Sequence, residues 1–155
     1  ASVLDSCPIV LCAQVSHLHL IPLPVSLMIK MLFWNIKGLT HAPNLRRLKK
    51  LVKLHSLQFV AICELKVALR NIDNVLLKLG MNLSISNQWD TIWIFYKSIL
   101  SCSVVGESCQ HVSLHVHCPM FPSTVCLSLV HAKCTVQERE TLWAELLLDS
   151  VYLGS

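Results

Sequence analysis

Two short apolar runs on either side of one amphipathic stretch constrain the fold of this 155-residue chain more than any other feature. Residues 31–35 and 59–63 are continuous apolar runs, bounded by turn-forming or charged residues, as is typical of buried strands. Residues 44–55 between them place apolar side chains at helical spacing, with Asn44 as the predicted helix cap. The pattern predicts a β-α-β unit, in which the two strands are parallel.

Asn35 and Glu64 stand at the carboxyl ends of these two predicted strands. Because those ends meet at one edge of a parallel sheet, and ligands of open α/β sheets bind just outside that edge, we expect the amide and the carboxylate to converge where chemistry takes place. Each residue also has an ordinary interpretation. Asn35 is a common turn former after a strand, and Glu64 would be an unremarkable charge at a strand end.

The charge of the chain is concentrated in one region. Ten of the thirteen basic residues lie between Lys30 and Lys78, with only two acidic residues among them. Clustered basic side chains attract polyanions, so this distribution indicates a phosphate-bearing partner. A solvated helix face is the alternative. The predicted nucleic-acid-binding residues, all on the helix, are Arg46, Arg47, Lys49, Lys50 and Lys53.

The rest of the chain predicts one further helix, four strands and a final helix. Residues 67–79 precede Gly80, which favours a helix that ends there. Residues 91–96, 101–105, 111–117 and 124–130 are rich in β-forming residues, and residues 111–117 alternate in character as antiparallel strands do. Thr135 and Glu138 match a capping box. The helix that follows carries a predicted apolar stripe of Leu142, Trp143, Leu146 and Leu147.

We expect residues 1–30 to form a poorly ordered apolar leader before a domain that spans residues 31–155. Residues 6–29 contain no Asp, Glu, Lys or Arg, but three prolines interrupt them and no basic segment precedes them. Stable membrane insertion is therefore not expected, although a membrane-associated peptide is an alternative interpretation of this segment.

The eight cysteines include no Cys-x-x-Cys pair, and we interpret them as reduced core residues of a nuclear or cytoplasmic protein. Two minor alternatives use these thiols. One is a zinc site formed by His111, His115 and His117 with nearby cysteines. The other is a thiol nucleophile, Cys134, paired with His131.

Two segments in order resemble the endonuclease/exonuclease/phosphatase family. They are Trp-Asn-Ile-Lys-Gly-Leu at residues 34–39 and Phe-Val-Ala-Ile-Cys-Glu-Leu-Lys at residues 59–66. Asn-Leu-Arg-Arg-Leu-Lys-Lys-Leu at residues 44–51 and Trp-Ile-Phe at residues 93–95 look more narrowly like the endonuclease domain of plant-type LINE (non-LTR) retrotransposons. The resemblance extends from about residue 31 to residue 149.

The resemblance implies an α/β fold, the amino-terminal part of a two-sheet sandwich with flanking helices like that of deoxyribonuclease I. It implies catalytic and metal-binding roles for Asn35, near the metal and phosphate, and for Glu64, which would bind Mg²⁺ or Mn²⁺. A hard cation that keeps several waters suits a single carboxylate. DNA would be the ancestral substrate, nicked by complete relatives for target-primed reverse transcription.

The chain departs from the family pattern at several positions. Cys63 stands where the family usually has Gln, and His131 occupies the third-motif position, where it usually has Tyr. The later Gly-Asp-x-Asn and Ser-Asp-His stretches are absent from these 155 residues. We therefore expect a truncated domain that is inactive alone, completed by a missing carboxyl-terminal half or a partner chain. The alternative is a non-catalytic polyanion-binding remnant that uses the basic helix 44–55.

Overall fold

Eight strands and three helices make up the part of the chain that the computed structural model describes, which is residues 9–13, 29–121 and 123–153. Five strands form the first sheet, in the order β1-β2-β3-β5-β4. They are β1 (Ile9–Ala13), β2 (Ile29–Asn35), β3 (Phe59–Cys63), β4 (Leu83–Ser86) and β5 (Ile92–Tyr96). β2 and β3 are parallel, with Asn35 opposite Cys63, and the other pairs in this sheet are antiparallel. The predicted β-α-β unit is confirmed.

The second sheet has three antiparallel strands in the order β6-β7-β8, which confirms the antiparallel prediction for this region. Its strands are β6 (Ser101–Glu107), β7 (His111–His117) and β8 (Val125–Val130). The helices are α1 (Ala42–His55), α2 (Ile72–Leu79) and α3 (Val136–Leu153), and a 3₁₀ turn at Leu69–Asn71 precedes α2. The fold is thus mixed α/β with two sheets.

Two apolar layers cover the two faces of the first sheet. All five residues of β3 are buried. Val60 and Ile62 pack with α1 and α2 in one layer, while Phe59, Ala61 and Cys63 pack against the second sheet in the other. Burial on both faces is what a continuous apolar run predicts. Each large side chain buried in this way stabilises the fold by about 1.5–3 kcal/mol.

The start of α1 differs from the prediction that Asn44 caps it. The helix begins at Ala42, with His41 as a cap residue that makes no side-chain capping bond. Pro43 lies in the first turn, where a missing backbone N–H costs nothing because that group has no helical acceptor. Asn44 instead donates from Nδ2 to the carbonyl oxygens of Ile36 and Gly38, at 2.9 Å each. It therefore holds the loop after β2 against the helix.

Three other element boundaries differ from the expectations. β2 begins at Ile29, two residues before the predicted start, and β6 continues to Glu107. The helix expected over residues 67–79 begins only at Ile72, although it ends as predicted at Gly80, whose φ of 65° is left-handed. β4 was not predicted. Its four residues are exposed or half-buried, so they carry little apolar periodicity.

The predicted leader, residues 1–30, is described only in part. Ile9–Ala13 forms β1 and pairs with β2, while residues 1–8 and 14–28 lie outside the described residues. Most of the segment on which the membrane-peptide alternative depends is therefore not described. Across the described ranges, no helix combines the length and apolar character needed to cross a lipid bilayer.

The predicted pairing of Thr135 with Glu138 at the start of α3 is present, although Glu138 accepts from the Thr135 hydroxyl where a capping box has the backbone N–H, and the apolar stripe of the helix is only partly buried. The backbone N–H of Glu138 donates to Thr135 Oγ1 at 3.3 Å, and the Thr135 hydroxyl donates to Glu138 Oε2 at 2.6 Å. Leu142 is buried, whereas Trp143 and Leu147 are 62% and 70% exposed. α3 packs on β6 and β7 through a narrower face than the sequence pattern indicates.

Candidate functional site

The carboxyl ends of β2 and β3 bring Asn35 and Glu64 into direct contact. Asn35 Nδ2 donates a hydrogen bond of 2.8 Å to Glu64 Oε1. Asn35 Oδ1 accepts a bond of 3.3 Å from the backbone N–H of Lys37, so the amide nitrogen faces the carboxylate. The Glu64 side chain is 37% exposed and open to solvent ligands. The expected convergence of these two side chains at one rim is confirmed.

The backbone at this rim is strained. Lys37, Glu64 and Lys66 have φ values of 50°, 55° and 52°, in the left-handed region that costs non-glycine residues about 1–2 kcal/mol each. Bonds of 2.8 Å from Gly38 N to Glu64 O and from Leu39 N to Leu65 O tie the two loops together. These bonds hold Glu64 in an unfavourable conformation that aims its side chain outward. Such outliers cluster at functional sites.

His131, at the end of β8, brings the second sheet to the same place. Its Nε2 lies 3.6 Å from Glu64 Oε1, and its backbone N–H donates to Gln110 O at 2.7 Å. His131 thus lies beside the carboxylate at the end of β3. A cleft of about 310 Å³ opens here. It is lined by Glu64, Leu65, Lys66, Asp90, Thr91 and His131.

The sequence did not single out Lys66, Asp90 or Thr91 as site residues. Asp90 and Thr91 precede β5, which runs antiparallel to β3 so that Ile92 lies opposite Cys63. The amino end of β5 therefore reaches the rim where β3 ends. Asp90 can be recognised in the sequence as an acidic residue just before an apolar strand. It can be assigned to this rim, however, only when β5 is known to pair with β3.

Cys63 is a neutral thiol in the core. It lies in the apolar layer between the two sheets, with Sγ 3.9 Å from the carbonyl oxygen of Trp34. Burial raises the pKa of Cys63 to about 12, and the negative charge of Glu64 adds to the effect. A thiol held in this protonated form is a poor nucleophile and a poor metal ligand.

The rim offers a hard divalent cation one clear protein ligand. Mg²⁺ is usually bound through one or two carboxylates and keeps several waters, so the half-exposed Glu64 carboxylate suits it. The Asn35 amide nitrogen donates to the Glu64 carboxylate, so in this structure Asn35 orients the carboxylate. Within the described ranges, no group of three or more His, Cys, Asp or Glu side chains is placed to hold a metal ion. The zinc alternative at residues 109–118 gains no support there.

The basic helix runs from this rim across the first sheet. Arg46, Arg47, Lys49, Lys50 and Lys53 are all exposed. Among the described residues, none of them forms an ion pair with an acidic side chain. The Arg47 guanidinium lies 5.4 Å from the centre of the Trp34 ring, a cation–π contact that holds it near the β2 end. The expected basic face is therefore present and available to an anion.

A buried polar network, which the sequence did not reveal, joins β7 to α3. His111, 1% exposed, places Nε2 at 2.8 Å from Asp149 Oδ2 and Nδ1 at 2.9 Å from Ser108 Oγ. Glu145 Oε2 lies 3.4 Å from the same Nδ1. Serine, histidine and aspartate in this order resemble a hydrolase triad in composition, but Ser108 is only 7% exposed. Because the serine is not accessible to a substrate, we interpret the network as a structural contact that holds α3 against β7.

No protein-family model matches the chain, and a search of curated proteins finds no match. The candidate site residues are accordingly those that the geometry brings together. They are Asn35 and Glu64 at the strand ends, His131 beside them, and the basic face of α1.

Proposed function

We propose that this chain is derived from a Mg²⁺-dependent phosphodiesterase domain whose ancestral substrate is DNA, similar to the endonuclease domains of plant-type LINE retrotransposons. The observation that carries the proposal is the hydrogen bond between Asn35 and Glu64 at the ends of two parallel strands. The two packed sheets, with α1 and α2 on one side and α3 on the other, support a deoxyribonuclease-I-like arrangement.

Each rim residue has a role in this proposal. Glu64 would hold Mg²⁺ or Mn²⁺, which polarises a phosphate and lowers the pKa of a bound water. Asn35 keeps the Glu64 carboxylate in place through its amide N–H. His131 lies close enough to Glu64 to contact a phosphate held at the same cleft. The basic face of α1 would bind the neighbouring phosphates of the DNA backbone.

Robust catalysis by this chain alone is not part of the proposal. The Asp and Asn of the family's Gly-Asp-x-Asn stretch and the His of its Ser-Asp-His stretch have no counterparts in these 155 residues. Without preorganised groups to stabilise charge in the transition state, most of the rate enhancement is lost. The chain would act as a pseudoenzyme, in the nucleus or cytoplasm, unless a carboxyl-terminal half or a partner chain completes the site.

The proposal is tested by cation binding, which does not require turnover. Mn²⁺ titration followed by the electron paramagnetic resonance signal of the free ion should show weak binding by the native chain and none by Glu64→Gln. Glu140→Gln, an exposed acidic position on α3, is the matched control and should bind as the native chain does. Equal Mn²⁺ binding by the native chain and Glu64→Gln would remove the basis for a metal-dependent ancestry.

A second candidate function is polyanion binding without catalysis, favoured by the five exposed basic residues of α1 that lack acidic partners among the described residues. Five phosphate contacts would give a slope of roughly −4.5 in a plot of log binding constant against log salt concentration for duplex DNA. Duplex binding with this salt dependence, unchanged by EDTA and by Glu64→Gln, would favour this candidate over the metal-dependent one.

A further inference from the structure

A second cleft, of about 530 Å³, lies at the opposite rim of the first sheet. It is bordered by residues 56–58, just before β3, and by Lys97, just after β5, whereas the Glu64 cleft lies after β3 and before β5. Four lysines line it: Lys49 and Lys53 from α1, Lys78 from α2, and Lys97. No acidic residue is among its lining residues.

The positive charge of this cleft is uncompensated. Lys49, Lys53 and Lys78 are exposed and form no ion pair with an acidic side chain in the described part of the chain. The Lys97 ammonium donates to the carbonyl oxygen of Gly80, at the end of α2, which fixes that charge at the cleft. Four ammonium groups around one cavity repel one another, and an anion with several charges relieves that repulsion.

Favourable interaction with a helix end explains the positions of only two of the four lysines. Lysines in the last turn of a helix interact favourably with its terminal carbonyl groups, and Lys53 and Lys78 lie in the last turns of α1 and α2. Lys49 lies a turn earlier, and Lys97 belongs to neither helix. The floor is formed by the apolar side chains of Val52, Leu57 and Leu79. An apolar floor with convergent polar groups, in a cavity of this size, is typical of small-molecule sites.

We propose that this lysine cleft binds a polyphosphorylated ligand, that is, a ligand with two or more neighbouring phosphate groups. The number of ammonium groups in the cleft indicates the class of ligand. Four ammonium groups match a ligand with several negative charges better than they match a single phosphate or carboxylate. Such phosphates could belong to a free nucleotide or to a nucleic-acid backbone. The cleft contains neither Glu64 nor Asn35, so the proposal does not depend on a metal site.

The test measures binding of inorganic tripolyphosphate to the full chain by calorimetry at low salt. The variant Lys53→Gln/Lys78→Gln removes two charges from the cleft, and Arg70→Gln/Arg139→Gln removes two exposed charges that lie outside both the cleft and the basic face of α1. The cleft variant should weaken binding about tenfold, and the control variant less than about twofold. Circular dichroism and thermal unfolding establish that both variants are folded.

Two results would overturn the proposal: native binding that the cleft variant leaves unchanged, or equal weakening by both variants, which indicates diffuse charge attraction. Competition identifies the source of the phosphates. Displacement of tripolyphosphate by a duplex oligonucleotide assigns the cleft to a nucleic-acid backbone, and displacement by ATP alone assigns it to a free nucleotide. Failure of both competitors to displace tripolyphosphate would contradict the proposal.

Discussion

Removal of the Asp149 carboxylate should destabilise the protein, because Asp149 is a hydrogen-bond partner of the buried His111. Nε2 of His111 lies 2.8 Å from Asp149 Oδ2, and the two side chains are 1% and 13% exposed. In Asp149→Ala, that ring nitrogen would lose its charged partner. A hydrogen bond to a charged group contributes about 1.5–3 kcal/mol to stability. For a chain of this size, about 2 kcal/mol corresponds to a fall of roughly 4–8 °C in Tm.

Gly106 provides an independent perturbation of the same contact. A methyl group at Gly106 would overlap the Asp149 carboxylate, so Gly106→Ala should displace that carboxylate from His111. The expected loss is again about 2 kcal/mol. In the Asp149→Ala background the overlapping atoms are gone. Gly106→Ala should then change the free energy of unfolding by less than about 0.5 kcal/mol, since the two positions act on one interaction.

Urea unfolding followed by tryptophan fluorescence measures these changes, with Glu140→Ala as the matched control on the exposed surface of α3. The control should lie within about 0.5 kcal/mol of the native chain. The denaturant slope should stay constant, which shows that stability and not compactness has changed. Additive losses from Gly106→Ala and Asp149→Ala would refute the reasoning, because independent effects cannot arise from one shared contact.

Three further perturbations test other parts of the structure. Thr135→Ala should cost about 1 kcal/mol in urea unfolding through loss of the α3 cap, whereas the exposed Thr124→Ala should be neutral. Lys66→Gly should raise stability by about 0.5 kcal/mol, because it relieves a left-handed φ of 52° at some cost in unfolded-state entropy. Burial raises the pKa of Cys63 from 9.0 to about 12, so the folded state holds the thiol proton more tightly than the unfolded chain does. The stability that depends on the neutral thiol is therefore fully present below pH 9 and is lost as the pH rises towards 12. Over that pH range, the urea midpoint should fall less steeply in Cys63→Ala than in the native chain. At pH 8, peptide mass spectrometry should show that iodoacetamide labels the exposed Cys134 well before the buried Cys63.

Local patterns predicted the part of the candidate site that depends on consecutive elements. The apolar runs at residues 31–35 and 59–63, with a helix between them, require a parallel pairing, and that pairing places Asn35 next to Glu64. Gly80 marked the end of α2 for an equally local reason, since a residue just past a helix end often needs a positive φ. The basic face of α1 followed from the spacing of its charges.

Other features depend on contacts between segments far apart in sequence. The antiparallel pairing of β3 with β5 brings Asp90 to the rim of Glu64, and the end of β8 brings His131 there. Asn44 fits a cap in sequence, but the loop after β2 supplies better acceptors for its amide. Trp143 and Leu147 have the spacing of a buried stripe, yet α3 contacts β6 and β7 through a narrower face.

The sequence by itself determined the β-α-β unit, the basic helix and the meeting of an amide with a carboxylate, because each depends on periodicity within a few turns of chain and on the geometry of a crossover. Tertiary structure alone decided the His111 network, the place of His131 beside Glu64 and the convergence of four lysines at the opposite rim. Those arrangements arise where sheets and helices pack, and the spacing of residues along the chain carries no record of such packing.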